Sequence, residues 1–122
     1  MNTEQVKTAF PTERDCMLFL IKKRELKTGS CAACGCKASD LKCYEERSCF
    51  VCCCNHFIYP RKDTIFENSK LPLQKWFLGI AYFNQHQKVT GQALSDFLDI
   101  NYKSAYYMIQ KLRKNNLQDF FQ

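Results

Sequence analysis

The chain has 122 residues, 46% of them hydrophobic, so it is long enough for one domain or two very small ones and too apolar for disorder. Its formal net charge of +6 suits a polyanionic partner. The polar start MNTEQVKTAF shows no signal-peptide pattern, and no segment approaches the ~18 apolar residues of a membrane span. We therefore expect no membrane partner and a reducing compartment.

The first segment, residues 1–27, is predicted to be helical. Within it, the stretch DCMLFLI is apolar and contains Cys16. A lone cysteine in such a stretch behaves as a small hydrophobic residue. We expect Cys16 to be buried and not to bind a metal.

The remaining cysteines are concentrated in the next segment. Nine cysteines, an odd number, argue against a closed set of disulfides in a chain without an export signal. Cys31 and Cys34 precede Gly35, and Cys49 and Cys52 follow after fourteen residues. The spacing C-x2-C-x14-C-x2-C is close to the pattern of a structural zinc site. The sequence predicts Zn²⁺ bound by these four thiolates, with an iron–sulfur cluster or unligated thiols as the alternatives.

A zinc ribbon over residues 28–68 fits the polar segment KASDLKCYEERS between the two pairs, which is long enough for a strand and a turn. Cys36 and Cys43 lie outside the two-pair pattern and are predicted to be non-ligands. His56 is a weaker candidate, because four thiolates already close a tetrahedral structural site.

Residues 69–122 are predicted to form three helices. Pro72 fits the first helical position, and Thr90 can cap a second helix that ends at Leu98. A third helix is predicted over YKSAYYMIQKLRKN, residues 102–115. The first helix should bury one apolar face, formed by Leu73, Trp76, Phe77, Ile80 and Phe83.

The second and third predicted helices fit a helix-turn-helix motif with Asp99 at the turn. Ser95 is small, as a close helix crossing requires. Asp99 stands where glycine is usual, and it can adopt the left-handed conformation at some cost. The apolar positions that the motif requires are occupied by Leu94, Leu98, Ile100, Ala105 and Met108.

With that face buried, the third helix exposes polar and basic residues, and residues 101–118 contain no acidic residue. A recognition helix uses its first turn against base edges and its basic end against phosphates. The alternative is a solvated basic face on a plain three-helix bundle. The DNA-binding residues predicted here are Tyr102, Lys103, Ser104, Tyr107, Lys111, Arg113 and Lys114.

Three stretches resemble the N-terminal part of the ISXO-like insertion-sequence transposases, bacterial relatives of the Merlin elements: FPTERDCMLFL, DTIFENSKLPLQKWFLGIAYF and NYKSAYYMIQKLR. The resemblance runs from Phe10 to Arg113. It implies a small α+β protein with an N-terminal helix, a four-cysteine zinc ribbon and a three-helix helix-turn-helix domain. It also implies binding to the double-stranded DNA of transposon ends.

The resemblance bears on the fourth zinc ligand. Counted back from the TIF triplet, the family's last zinc cysteine falls at Cys54, but its expected partner position, 51, is valine. Either Cys49 pairs with Cys52, which turn geometry favours, or Cys49 and Cys54 bracket a wider loop. Cys53 is a non-ligand in both cases.

In that family a DDE-type catalytic domain with an RNase-H-like fold follows, whereas nine residues follow Arg113 here. We therefore expect a DNA-binding module without enzymatic activity. A stand-alone DNA-binding regulator and a protein-interaction zinc ribbon are the alternatives. Further candidate partners are a second copy of this protein and a full-length transposase. The expected location is the cytoplasm and its nucleoid in a bacterium, or the nucleus in a eukaryote.

Overall fold

The N-terminal stretch forms two helices, where the sequence predicts one. The computed structural model describes residues 2–28, 41–86 and 88–121. Helix α1 spans Thr3–Ala9, and a reciprocal capping box between Asn2 and Gln5 satisfies its first N–H groups. Phe10 leaves the helical conformation (φ −127°, ψ 67°), as expected of a residue that precedes proline. Helix α2 then begins afresh and spans Glu13–Thr28.

The chain divides into two compact units. The sheet unit is Thr12–Ser69, and the helical unit is Met1–Pro11 with Lys70–Gln122. The sequence-based boundaries at 27/28 and 68/69 group the N-terminal helices differently, since α1 belongs with the later helices and α2 with the sheet. The strands are β1 Lys42–Tyr44, β2 Cys49–Val51 and β3 Phe57–Ile58, and the later helices are α3 Leu73–Gln85, α4 Gly91–Leu98 and α5 Tyr102–Lys114.

The sheet unit contains a three-stranded antiparallel sheet in the order β1-β2-β3. Phe50 lies opposite Cys43 on one side and Ile58 on the other, so these three residues share a face. Phe50 and Ile58 are buried. The apolar residues of α2 that are buried in the same unit are Cys16, Met17, Leu20 and Ile21.

Arg61 fixes the turn-rich segment that follows the sheet. Its Nη1 donates to the Ser69 carbonyl oxygen (2.9 Å), and its Nη2 lies 3.5 Å from Glu13 Oε2 on α2. Burial lowers the pKa of the Arg61 guanidinium, and the Glu13 carboxylate opposes this shift. Through these two contacts Arg61 connects the first turn of α2 to Ser69 at the end of the unit.

The helical unit is built around α3. Its buried residues include Leu73, Trp76, Phe77 and Ile80, which confirms most of the predicted apolar face, while Phe83 is half-buried. Pro72 is the N-cap residue, so the helix begins one residue later than the sequence predicts. Phe77 makes edge-to-face contacts with Phe10, Phe120 and Phe121, which join α1 and the C-terminal residues to α3.

Helices α4 and α5 are joined by residues 99–101, and the sequence predicts both with nearly the observed bounds. The Thr90 hydroxyl accepts a hydrogen bond from the Ala93 N–H and so caps α4. Asp99 ends α4 in the left-handed conformation (φ 55°, ψ 51°). Leu94, Leu98, Ala105 and Met108 are buried and Ile100 is half-buried, as the apolar spacing predicts.

These elements make a small α+β protein. Within the described parts of the chain, no helix combines the length and the apolar character that crossing a membrane requires.

Candidate functional site

The first two turns of α5 form an exposed aromatic surface. Asn101 caps the helix, its side chain accepting a hydrogen bond from the Ser104 N–H. Tyr102, Tyr106 and Tyr107 are 53%, 50% and 43% exposed. These values are high for tyrosine, which usually buries most of its ring. The start of α5 therefore presents three rings to solvent.

Positive charge continues this surface toward the end of α5. Lys103, Arg113 and Lys114 are exposed. Lys111 is half-buried, and its Nζ lies 5.5 Å from the centroid of the Tyr107 ring, a cation–π contact. The basic residues of the last turn also interact favourably with the negative end of the helix dipole.

The structure differs from the sequence-based assignment at two positions of α5, Ser104 and Tyr106, and adds a contact at Arg113. Ser104 is half-buried. Arg113 Nη2 donates to the Val89 carbonyl oxygen (3.3 Å), so this side chain also joins α5 to the residues before α4. Tyr106 is exposed and was missed, although it lies three residues after Lys103 and four after Tyr102, where a helix presents the same face.

The Tyr102 ring also packs against α4. A Cβ atom added to Gly91 would lie 3.0 Å from Tyr102 Cε2, so the ring packs against the first residue of α4. The Tyr102 and Tyr106 rings are nearly parallel, with centroids 6.2 Å apart and an interplanar angle of 18°. The two rings thus form one continuous surface supported by α4.

The second candidate site is the hairpin between β2 and β3. Its turn spans residues 52–55: the Asn55 N–H donates to the Cys52 carbonyl (2.8 Å), and the Cys52 N–H donates to the His56 carbonyl (3.0 Å). Asn55 adopts the left-handed conformation (φ 64°), which asparagine tolerates better than most residues. The tight turn therefore follows Cys52.

The preference for Cys52 as a zinc ligand assumes a tight turn between Cys49 and Cys52, whereas the structure places the tight turn after Cys52. Residues 49–51 are an extended strand, and the pairing of β2 with β3 continues to Cys52 and His56. Successive strand residues point to opposite faces, so Cys49 and Cys52 start from opposite faces of the hairpin. Both are buried, whereas Cys54 is exposed. The choice between Cys52 and Cys54 as the fourth ligand stays a prediction.

The other predicted metal ligands and non-ligands fall into two groups. Cys31 and Cys34, with Cys36, lie outside the described residues. Cys53 and His56 are exposed, and Cys43 is half-buried with its pKa raised mainly by burial. Among the residues that the structure describes, no three histidine, cysteine or acidic side chains are placed to hold one metal ion. The zinc site therefore stays a prediction.

Cys16 is buried, as predicted. Burial, followed by the charges of Glu13 and Asp15, raises the pKa of its thiol to about 12. The side chain therefore stays a neutral thiol and acts as part of the core of the sheet unit.

Comparisons with models of protein families, with curated proteins and with solved structures found no match to this chain. The functional assignment accordingly depends on the residues of α5 and of the cysteine-rich hairpin.

Proposed function

We propose that this protein is a zinc-dependent module that binds duplex DNA, of the kind that ISXO-like insertion-sequence transposases use to recognise transposon ends. Two features support this proposal. Helices α4 and α5 are connected by a short turn, which we interpret as a helix-turn-helix. The sheet unit is rich in cysteine, and we interpret it as a zinc ribbon. α5 is the recognition helix. Its first turns contact base edges and its basic end contacts phosphates.

The observation that carries the proposal is the surface of α5. The buried side of the helix is apolar, through Ala105, Met108, Ile109 and Leu112. The opposite side exposes Lys103 and Lys114, and residues 101–118 contain no acidic residue. A rigid helix that exposes positive charge along its length and no negative charge is complementary to the phosphate backbone.

Zinc has a structural role in this proposal. Cys31, Cys34 and Cys49, with Cys52 or Cys54, would hold the ion as thiolates. The chemistry of the described donors suits zinc, because Cys49, Cys52 and Cys54 supply soft sulfur ligands within one hairpin. The ion would supply folding free energy to residues 30–63, a segment that is poor in leucine, isoleucine and valine.

The proposal assigns DNA binding, and no catalytic step, to α5 and the cysteine-rich hairpin. In the transposase family, strand transfer belongs to the acidic residues of the catalytic domain, which hold divalent metal ions. A stand-alone regulator that occupies transposon ends or a promoter would use the same contacts. These two roles differ in genomic context and share the chemistry of α5.

Salt dependence tests the proposal against a protein-interaction zinc ribbon. The affinity of the zinc-loaded protein for a fluorescent DNA duplex would be measured by anisotropy between about 50 and 200 mM salt. Each neutralised phosphate contributes about −0.9 to the slope of log K against log salt concentration, so we expect a slope of about −3 or steeper. No binding at the lowest salt concentration, or a slope near zero, would contradict the proposal.

A further inference from the structure

The exposed side chains at the start of α5 carry little of the usual hydrogen-bonding chemistry of base recognition. Guanine is commonly read by arginine or lysine, and adenine by asparagine or glutamine. Residues 102–107 contain no arginine, asparagine or glutamine, and Lys103 is the one cation among them. The largest exposed side chains there are the three tyrosines. The helix therefore offers mainly apolar ring surface where it would meet the bases.

Neighbouring residues support this ring surface. Gly91 supports Tyr102 from behind, and Tyr106 lies beside Tyr102 with its ring nearly parallel. The Tyr107 ring is covered on one side by the amine of Lys111. Such contacts reduce the conformational freedom that the rings would lose on binding.

One feature of the major groove matches an apolar surface on a basic helix. Thymine presents its 5-methyl group there, and apolar side chains read thymine through this methyl. We propose that Tyr102 and Tyr106 form a contact surface for thymine methyl groups, so that the module prefers duplexes with thymine under the first two turns of α5. The inference depends on the proposed DNA-binding function and adds the class of sequence recognised.

Charge favours DNA over a protein partner for these rings. Exposed tyrosines are also common at protein interfaces. Here, however, Lys103 lies between the two rings in sequence, and Lys111 and Lys114 follow on the same helix with no acidic residue. The surface therefore combines apolar contact with complementarity to a polyanion.

The test compares two duplexes that differ only in the methyl group. One is a hairpin of alternating A·T pairs, and the other is the same hairpin with deoxyuridine in place of thymidine. Binding of the full 122-residue, zinc-loaded protein to both would be measured at one salt concentration. We expect the A·T hairpin to bind more tightly, by about fourfold for each methyl group removed from water.

Three variants assign the effect to the rings. Tyr106→Ala should reduce the ratio of the two affinities toward one, and Tyr106→Phe should keep it, because the phenyl ring keeps the apolar surface. Tyr44→Ala removes a 40% exposed tyrosine from the sheet unit and should also keep the ratio. Circular dichroism would check that each variant is folded.

The outcomes separate this inference from the proposed function. Equal, salt-dependent affinity of the unmodified protein for both hairpins would overturn methyl recognition and leave DNA binding intact. A Tyr106→Ala variant that binds both hairpins more weakly by the same factor would likewise overturn it, because the ring would then act independently of the methyl group. Absence of binding to either hairpin would overturn both proposals.

Discussion

Ser95 and Ile100 are joined by two hydrogen bonds that run in opposite directions across the turn between α4 and α5. The Ile100 N–H donates to the Ser95 carbonyl oxygen (3.2 Å), and the Ser95 hydroxyl donates to the Ile100 carbonyl oxygen. Asp99 lies between them in the left-handed conformation. This pair fixes the turn that orients α5, and the small side chain of Ser95 is therefore also a hydrogen-bond donor.

Replacing Ser95 by alanine should destabilise the helical unit. The change leaves the half-buried Ile100 carbonyl without its hydroxyl donor, and we expect a loss of about 1 kcal/mol in the free energy of unfolding. The single tryptophan, Trp76, is buried in this unit, so its fluorescence reports the transition in denaturant. Ser104→Ala, at another half-buried helical serine, is the control and should change the free energy by less than ~0.5 kcal/mol. Equal stability of the Ser95→Ala variant and the unmodified protein would contradict this role.

Asp99→Gly should stabilise the same unit. Glycine adopts the left-handed conformation without the steric cost of a Cβ atom, and we expect a gain of roughly 1 kcal/mol. Asp99→Asn separates this effect from the removal of a carboxylate at the negative end of α4. Asp99→Ala keeps the steric cost and loses the polar side chain, so it should not stabilise. The measurement is again denaturation followed by Trp76, and a less stable glycine variant would show that the Asp99 side chain makes a net favourable contribution.

The stability of the sheet unit should fall above about pH 9 through Cys16. Burial raises the pKa of this thiol from 9.0 to about 12, so the unfolded chain releases the proton first. The stabilisation of the folded state that this pKa shift reflects is fully present below about pH 9, and it is lost as the pH rises toward about 12. Between about pH 8 and pH 10, the free energy of unfolding of the unmodified protein should fall by about 1.4 kcal/mol more than that of the Cys16→Ala variant. Denaturation followed by circular dichroism measures both, and parallel pH profiles would contradict the assignment.

The zinc proposal predicts one ion per chain in native mass spectrometry. Cys31→Ser, Cys34→Ser and Cys49→Ser should each lose it, because the remaining three thiolates no longer close a tetrahedral site. Cys53→Ser should keep it.

Of Cys52→Ser and Cys54→Ser, the variant that loses the ion identifies the fourth ligand. A protein purified without zinc, or one with the absorption of an iron–sulfur cluster, would contradict the assignment. So would retention of the ion by both of these variants.

The sequence predicts the helical unit well because local rules govern it. The burial of Leu94, Leu98, Ala105 and Met108 follows helical periodicity, and the cap at Thr90 follows from its side-chain oxygen. Pro11 is a local signal of the same kind and accounts for the break between α1 and α2. Lys75, by contrast, donates to the Leu98 carbonyl at the end of α4. No local sequence pattern predicts that contact, because it depends on how α3 and α4 pack against each other.

The cysteine-rich hairpin was harder to predict. Cysteine has no strong turn preference, so the C-x-x-C spacing placed a turn where residues 49–51 form a strand. Asn55 was the better indicator, because asparagine tolerates the left-handed conformation that the turn requires. Tyr106 was missed for another reason. The helical pattern places it on the exposed face, but it carries no charge and lies outside the first turn of α5.

The most direct test of the central claim is the salt dependence of DNA binding after removal of charge from α5. The triple variant Lys103→Ala/Lys111→Ala/Lys114→Ala would be compared with Lys7→Ala/Lys22→Ala/Lys70→Ala, which removes three exposed lysines elsewhere and the same net charge. The account predicts that the α5 variant binds duplex DNA far more weakly, and that the slope of log K against log salt concentration flattens by about one for each phosphate that is no longer neutralised. The control should bind nearly as the unmodified protein does. Equal affinities and slopes for the two variants would contradict the assignment of α5 as the DNA-binding helix.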